Sequence, residues 1–401
     1  MRLIFVLISM LCCLPFGSAA QSITSTSEPD SMKGDKPVHM VGLDVRPGYV
    51  FPTHGFFRGE NEAGEPVNPA MSAHLRYAFR FAPSSRWGQL YPYAYQGIGV
   101  GYNTFGNRRE LGNPVSVYVF QGSRLARLAR NLTLNYEWNF GASFGWKKYD
   151  EETNYYNDIV GSRINAFLNV GFFVNWQLAR EWSVVAGVDL SHYSNGNTNY
   201  PNAGVNTIAA RVGVVRSFGG GVEAEDAPAS GRRIEGSRFS YDLVLYGSTR
   251  KRGIMWSADD GDLIPGSFGV AGLNFNPMYR VNKYFRAGVS LDAQYDESAN
   301  LKDHVVEGTS GDGIKFYRLP FREQFAVGLS VRAELNMPIF SVNLGVGHNV
   351  FYKGEDTSKL YQILALKAFV SRRLFLHVGY QLSNFKDPNN LMLGLGYRFG
   401  G

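Results

Sequence analysis

Residues 164–178, INAFLNVGFFVNWQL, alternate between two kinds of side chain along their whole length. The even-numbered positions are apolar: Ile164, Ala166, Leu168, Val170, Phe172, Val174, Trp176 and Leu178. The odd-numbered positions are mostly asparagine, glycine or glutamine. Because successive side chains of a β-strand point to opposite faces, this pattern predicts a strand with one apolar face. Such a strand fits the wall of a membrane-spanning barrel, where one face meets lipid and the other fills the lumen.

The same period-two pattern recurs along the chain. It is seen in residues 182–194 and near residues 41–51, 72–82, 92–103, 114–122, 130–146, 206–218, 238–249, 266–276, 283–295, 323–335, 339–352, 360–370, 373–383 and 390–399. Helical periodicity is not seen. The predicted fold class is therefore all-β, a transmembrane antiparallel β-barrel with about sixteen strands. A soluble β-sandwich also alternates, but the aromatic strand ends and the C-terminal segment 395–399, Leu-Gly-Tyr-Arg-Phe, favour the membrane barrel.

The N-terminal segment predicts export. A basic residue, an apolar run over residues 3–14 and small residues before Gln21 predict a cleaved signal peptide at residues 1–20. The polar residues 21–38 predict a flexible leader. The two cysteines of the chain lie in the signal peptide, which excludes disulfides and thiol chemistry from the mature protein.

The distribution of charged residues and of possible metal ligands argues against a nucleic-acid partner and a metal site. Without Arg2, the chain has 39 basic and 34 acidic residues, a net charge of +5, with no basic block. We therefore predict no nucleic-acid partner. No spaced set of ligand residues predicts a metal site.

An internal repeat predicts two related halves. Residues 182–195 align without gaps on residues 374–387. Residues 219–237, rich in Gly, Ala, Glu and Arg, predict a linker between a first barrel unit, 39–218, and a second, 238–401. Two eight-stranded barrels in tandem and one barrel of about sixteen strands both fit this division, and both remain open at this stage.

One strand end combines residues that could carry chemistry. His192 and Ser194 are two residues apart on a predicted strand, so both point to the same, outward face. The tight turn at residues 179–181 is typical of a periplasmic turn, and the long polar segment 147–161 of an outer loop, which places this strand end at the outer leaflet. Asn206 begins the next strand on the same face. A histidine within reach of a serine can take its proton and activate it as a nucleophile.

This stretch resembles the active-site region of the PagL family of lipid A 3-O-deacylases. The family's His-x-Ser-Asn run appears as residues 192–195, and its Pro-Asn-x-Gly run as residues 201–204. The resemblance implies an outer-membrane enzyme of a Gram-negative cell, a serine esterase that needs no cofactor. Its partner would be the lipid A of lipopolysaccharide in the outer leaflet, from which it removes the ester-linked 3-O-acyl chain.

The resemblance also implies residue roles. His192 would be the base and Ser194 the nucleophile. Asn206 stands where the family has the glutamate of its Ser-His-Glu triad, and it would complete the catalytic set. Candidates for the oxyanion hole or for positioning are Asn195, Gly196 and Asn202.

Two departures from the family pattern bear on activity. An asparagine at position 206 can accept a hydrogen bond from the imidazole, but it cannot offset the positive charge that develops there. A nearby acid could take over that role, and the candidates are Glu151, Glu152 and Asp158. In the second half, Asn384 and Lys386 replace the histidine and the serine, so the second repeat is predicted to be degenerate. The alternative function is a non-enzymatic porin or structural barrel that keeps a vestigial motif.

Overall fold

The computed structural model describes residues 36–219, 236–255, 261–309, 311–357, 359–385 and 387–401. The predicted signal peptide, most of the predicted leader and nearly all of the predicted linker lie outside these residues. The described chain forms two closed antiparallel barrels of eight strands each. The fold class predicted from the alternating pattern is therefore confirmed, and two barrels in tandem replace the alternative of a single large one.

The first barrel is a simple up-and-down meander. Its strands are β1 (Val38–Val50), β2 (Pro69–Arg80), β3 (Ala94–Thr104), β4 (Gly112–Ala129), β5 (Leu132–Trp146), β6 (Ile164–Gln177), β7 (Trp182–Ser194) and β8 (Val205–Gly219). Each strand pairs with the next, and β8 pairs with β1 over most of its length, which closes the sheet. Closure gives every strand of this barrel a paired neighbour on both sides, as a membrane-spanning sheet requires.

The second barrel follows the same plan with one insertion. Its first strand is β9 (Phe239–Arg250), and the insertion after it is a short hairpin of β10 (Gly253–Met255) and β11 (Gly261–Leu263). The remaining barrel strands are β12 (Phe268–Arg280), β13 (Phe285–Asp296), β14 (Phe325–Asn336), β15 (Phe340–Phe351), β16 (Leu360–Phe369), β17 (Leu374–Ser383) and β18 (Asp387–Gly400). Strand β9 pairs with both β12 and β18, which closes this barrel.

Helices are short and lie in the loops. They are Gly55–Arg58, Arg86–Leu90, Leu301–His304, Gly311–Gly313, Phe321–Gln324 and Glu355–Thr357. Among the described residues, none of the helices has the length and hydropathy needed to span a membrane.

The outer walls of both barrels are apolar and exposed. In the first barrel the exposed side chains include Leu43, Leu75, Ile98, Val117, Val188 and Val212. In the second they include Leu245, Val289, Leu329, Val331 and Leu395. So much exposed apolar surface on alternate strand positions is the wall of a barrel that lies in lipid.

Paired charges fill the lumen of the first barrel. Arg211 contacts Glu137 at 2.9 Å and Asp189 at 2.5 Å. Arg76 bridges Glu137 and Asp44 at 2.8 and 2.7 Å. With Arg46, which contacts Asp44 at 2.6 Å, three arginines meet three carboxylates, so the buried charges balance. A cluster of aromatic side chains also fills the lumen, nearer the loops that follow β3 and β5. Its members are Phe105, Tyr118, Phe120, Trp146, Phe167 and Tyr193.

The second lumen is filled in the same way. Lys367 lies 2.7 Å from Asp242 and 2.5 Å from Glu334. Arg398 contacts the same two carboxylates at 2.6 and 2.7 Å. A separate pair, Arg332 and Asp292, forms at 2.7 Å. Eight-stranded barrels have interiors just wide enough for side chains to fill, and these two are packed rather than hollow.

The two ends of the first barrel differ in the length of their connections. At one end, β4 joins β5 through residues 130–131 and β6 joins β7 through residues 178–181. At the other end, the connections include residues 51–68, 147–163 and 195–204. Outer-membrane barrels have short periplasmic turns and longer external loops, so the long-loop end is the outer end and the short-turn end is the inner end.

Candidate active site

The candidate site lies at the outer end of two neighbouring strands. His192 on β7 pairs in register with Asn206 on β8, and Ser194 pairs with Ala166 on β6. Position 192 lies on the same face of β7 as Val188, which is 50% exposed. Both histidine and asparagine are nevertheless buried, with exposures of 6% and 3%, while Ser194 is partly exposed. The pleat thus directs all three side chains to the outer wall.

The three side chains form a continuous hydrogen-bonded chain. His192 Nδ1 lies 2.7 Å from Asn206 Oδ1, and His192 Nε2 lies 2.8 Å from Ser194 Oγ. An amide oxygen can only accept, so in this arrangement the imidazole donates from Nδ1. Its Nε2 then carries the lone pair that accepts the serine hydroxyl proton. This is the tautomer that a general base for the serine requires.

An inward-facing tyrosine fixes the strand between the two polar residues. Tyr193 points into the lumen and is buried. Its ring stacks on Phe167 at a centroid distance of 5.1 Å, and its hydroxyl donates to Asn103 Oδ1 at 3.0 Å. Because side chains alternate, anchoring Tyr193 inside holds its neighbours on the outer wall.

The loop after β7 has a dense set of internal hydrogen bonds. The backbone N–H of Asn195 donates to Asn202 Oδ1 at 2.9 Å, and Asn202 Nδ2 donates to Asn197 Oδ1 at 3.1 Å. Gly196 adopts a left-handed conformation with φ of 64°. Asn195 N–H is thus already engaged, and Asn202 ties the two ends of the loop together.

Gly204 is a site residue whose role the sequence does not reveal. Its φ is +76°, and a Cβ at this position would lie 3.1 Å from His192 Cε1 and 2.9 Å from Tyr193 O. Any side chain here would therefore press on the imidazole ring. The only sequence signal is its place as the last residue of the Pro-Asn-x-Gly run.

We expect Gly204→Ala to lower turnover, but by less than the about 10²-fold that a displacement of about 1 Å at a reacting group causes, because the new methyl group would shift the imidazole by only a few tenths of an ångström. Gly145→Ala is the matched control. Gly145 also has a positive φ, of +89°, but nothing lies within 4 Å of the point that its Cβ would occupy. Both variants should lose stability in urea unfolding because of the positive φ, Gly204→Ala somewhat more because its Cβ also contacts Tyr193 O, and only Gly204→Ala should lose activity. Equal activity in the two variants would contradict a steric role at His192.

The three acids that could replace the family's triad glutamate lie in the loop between β5 and β6. Glu151 and Glu152 are exposed in the β5–β6 loop. Asp158 Oδ2 lies 3.3 Å from His54 Nδ1, and partial burial raises the pKa of the Asp158 carboxyl above its usual value. The hydrogen bond at His192 Nδ1 is instead made by Asn206.

Neither a metal centre nor a second catalytic set emerges from the described residues. Within them, no group of three or more His, Cys, Asp or Glu side chains is placed to hold a metal ion. In the second barrel, the counterpart of His192 is Asn384, whose φ of 51° puts it in a turn after β17. The counterpart of Ser194, Lys386, lies outside the described residues.

Two family models match the chain, one on each barrel. Residues 56–215 match the model described as lipid A 3-O-deacylase (PagL). Residues 239–401 match the model described as acyloxyacyl hydrolase, C-terminal domain (PagL_C). The chain belongs to the PagL family. PagL proteins are lipid A 3-O-deacylases of the outer membrane, and the PagL assignment places this barrel chain in that membrane. No curated protein sequence matches the chain significantly.

Solved structures with some likeness are other outer-membrane barrels. Neisserial surface protein A is 11% identical, with 45% of this chain and 97% of that chain covered and a TM-score of 0.31. The siderophore receptor PirA from Pseudomonas aeruginosa is 8% identical, with 92% and 81% covered and a TM-score of 0.23. The outer membrane protein Omp33 of Acinetobacter baumannii is 10% identical, with 92% and 99% covered and a TM-score of 0.16. At these scores they add nothing to the PagL assignment.

Proposed function

We propose that the first barrel is a serine esterase that removes the ester-linked 3-O-acyl chain from lipid A. The observation that carries the proposal is the chain of contacts from Asn206 through His192 to Ser194, on the lipid-facing wall at the outer end. A nucleophile in this place meets the acyl chains and ester groups of the outer leaflet. The family's activity is ester cleavage on a lipid of that leaflet, which is the chemistry that such a site can perform.

The proposed reaction has two steps. Ser194 Oγ attacks the carbonyl carbon of the ester while its proton moves to His192 Nε2. The tetrahedral intermediate then collapses, and the sugar oxygen leaves with the proton returned by His192. Water, activated by the same imidazole, attacks the acyl-enzyme and releases the fatty acid. No cofactor takes part in either step.

The loop residues are assigned by their hydrogen bonds. Because Asn195 N–H already donates to Asn202 Oδ1, we assign these two residues to positioning the loop. The backbone N–H of Gly196 is then the candidate donor to the oxyanion of the intermediate.

Asn206 is assigned to fixing the histidine tautomer without neutralising its charge. We expect Asn206→Asp, which keeps an oxygen at the same place, to raise kcat about tenfold. The reason is that a charge-assisted hydrogen bond stabilises the imidazolium of the transition state by about 1–2 kcal/mol more than a neutral one. The measurement is the initial rate of fatty-acid release. Asn206→Leu, which removes the acceptor, should lower the same rate, and a rate unchanged in both variants would exclude the assigned role.

The direct test follows the mass of the lipid. Detergent-purified protein is incubated with lipid A, and the products are separated by mass spectrometry. The expected product has lost one ester-linked acyl group from the 3-position, and the released acid accounts for the mass difference. Unchanged lipid A, or loss of a secondary acyl chain instead, would contradict the proposal.

The alternative of a porin finds little support. A porin needs a wide, water-filled lumen, whereas side chains of balanced charge and aromatic rings fill these two barrels.

We propose that export uses the predicted signal peptide at residues 1–20. N-terminal sequencing of the mature protein would test this, and the expected new terminus is Gln21.

A further inference from the structure

The inner end of the first barrel is strongly basic, far from the candidate active site. Its described turns and strand ends carry eight basic side chains: Lys36, Arg80, Arg86, Arg124, Arg127, Arg130, Arg180 and Arg216. They carry one acidic side chain, Glu181, which pairs with Arg216 at 3.2 Å. The positive charge is therefore concentrated at one end of the barrel.

The outer end of the same barrel has a mixed charge. Its described loops carry six basic residues, Arg58, Arg108, Arg109, Lys147, Lys148 and Arg163. They carry eight acidic residues, Glu60, Glu62, Glu65, Glu110, Asp150, Glu151, Glu152 and Asp158. The asymmetry is thus a property of the two ends and does not follow from the overall composition.

In the second barrel the end with the short connections, residues 281–284, 337–339 and 370–373, corresponds to the inner end and is also basic. Its described inner turns carry Arg238, Arg280, Lys283, Arg372 and Arg373. Within those described turns there is no aspartate or glutamate. A feature that occurs on both repeats is unlike the scattered charges of an ordinary solvated surface.

A projecting ribbon concentrates the charge of the first barrel. Strand β3 begins at Ala94, which pairs with Ser123 of β4. The last part of β4, residues 124–129, therefore extends beyond β3 and pairs with β5 only, with two irregularities in its register. The ribbon continues to the turn residue Arg130, and we call residues 124–130 the arginine ribbon.

The arginine ribbon has the composition of a membrane-interface anchor. Arginine stands at every third position, 124, 127 and 130, with leucine and alanine between. Leu128 is 54% exposed, and Arg127 and Arg130 are exposed beside it, with the Arg127 guanidinium also donating to the backbone oxygens of Ala129 and Arg130 at 3.4 and 3.0 Å. Arg124 lies over the ring of Tyr93, with its guanidinium carbon 3.6 Å from the ring centroid. A segment lies at a bilayer surface when its apolar side chains enter the acyl region and its arginines reach the head groups.

We propose that the arginine ribbon binds the phosphate head groups of anionic phospholipids in the inner leaflet. This inference goes beyond the proposed esterase and does not depend on it. Guanidinium groups match phosphate oxygens in geometry and charge. The net positive charge of the whole inner end adds a longer-range attraction that salt weakens.

The test measures lipid preference around the intact protein. The full-length chain is reconstituted in phosphatidylcholine vesicles that contain a trace of dansyl-labelled phosphatidylglycerol or dansyl-labelled phosphatidylcholine. Energy transfer from the protein's tryptophans to each label gives the relative affinity for the anionic lipid. We expect a clear preference for the phosphatidylglycerol label, and one that declines as salt is added.

Three triple variants give the controls. Replacing Arg124, Arg127 and Arg130 by glutamine should reduce the preference about a hundredfold, since each arginine near an anionic surface contributes about fivefold. Replacing the same three by lysine should keep most of it. Replacing Lys147, Lys148 and Arg163 by glutamine at the outer end should leave it unchanged. Heat-modifiable migration on gels checks that every variant is folded.

Three results would overturn the proposal. They are equal transfer to both labels in the unaltered protein, equal loss in the outer-end variant, and full retention in the glutamine variant. The last would mean that other basic side chains of the inner end, and not the arginine ribbon, carry the preference.

Discussion

Ser194→Ala is expected to lower the rate of lipid A deacylation by at least about 10⁴-fold. The variant removes the only atom of the proposed triad that can bond to the acyl carbon, and loss of the nucleophile in a comparable hydrolase costs on the order of 10⁶ in kcat. Because Ser194 is partly exposed and lies at the end of β7, the truncation should leave folding intact. The measurement is fatty-acid release from lipid A by mass spectrometry.

The same strand provides a matched control for this variant. Ser191 lies three residues earlier on β7, faces the lumen and accepts a hydrogen bond from Asn169 Nδ2 at 2.9 Å. Ser191→Ala should change stability slightly and leave deacylation unchanged. If Ser191→Ala and Ser194→Ala lost activity equally, the effect would report on barrel integrity, and Ser194 would not be the nucleophile.

His192→Gln should have a second effect of similar size. Glutamine can still hydrogen-bond to Ser194 and Asn206, but it cannot take a proton from the serine at neutral pH. The most informative measurement combines the two variants. Members of one catalytic unit are strongly non-additive, so the His192→Gln and Ser194→Ala double variant should be no slower than either single variant.

The control for His192→Gln is a histidine in the second barrel. His348 is an exposed histidine on β15, and His348→Gln should keep full activity. If the rate loss of the double variant equalled the product of the two single losses, His192 and Ser194 would not work as a unit. His192 could then not be assigned as the base that activates Ser194.

Alternation was sufficient to predict the barrel strands because the physical cause is local. A strand between lipid and a packed lumen must change polarity at each residue, and segments such as 182–194 show this directly. Sixteen predicted strands correspond to the sixteen barrel strands within a few residues, except that β4 continues to Ala129, seven residues beyond the predicted end at residue 122. The three-residue strands β10 and β11 were missed, since such short segments carry no measurable period.

The number of barrels could not be predicted because closure is a long-range property. Whether β8 pairs with β1 or continues to β9 depends on hydrogen bonds between residues far apart in sequence, such as Tyr49 and Ile208. No local pattern encodes that choice. The linker composition was compatible with either outcome.

Part of the candidate site could be predicted from the sequence because side-chain alternation along a strand is a local property. The outward direction of His192 and Ser194 follows from the pleat, and their motif pointed to a pair that does lie within hydrogen-bonding distance. What the sequence could not show is that Asn195 N–H is already engaged by Asn202, or that Gly204 lies against the imidazole. Those facts depend on how a ten-residue loop folds.

The lumen charges of the first barrel have a consequence for assembly. Asp44 and Arg46 come from β1, Asp189 from β7 and Arg211 from β8, so the balanced set is contributed by strands on both sides of the final seam. In a sheet that is still open, Arg46 could still pair with Asp44 on its own strand and Arg211 with Asp189 on the neighbouring strand, but the contact between Arg46 and Asp189 at 3.4 Å, which crosses the seam, would be missing. Pairing of β1 with β8 therefore completes this network and encloses the ions in the lumen, so a partially assembled barrel in the bilayer should be less stable than the closed one. The same ions thus favour the closed barrel over open forms of the sheet.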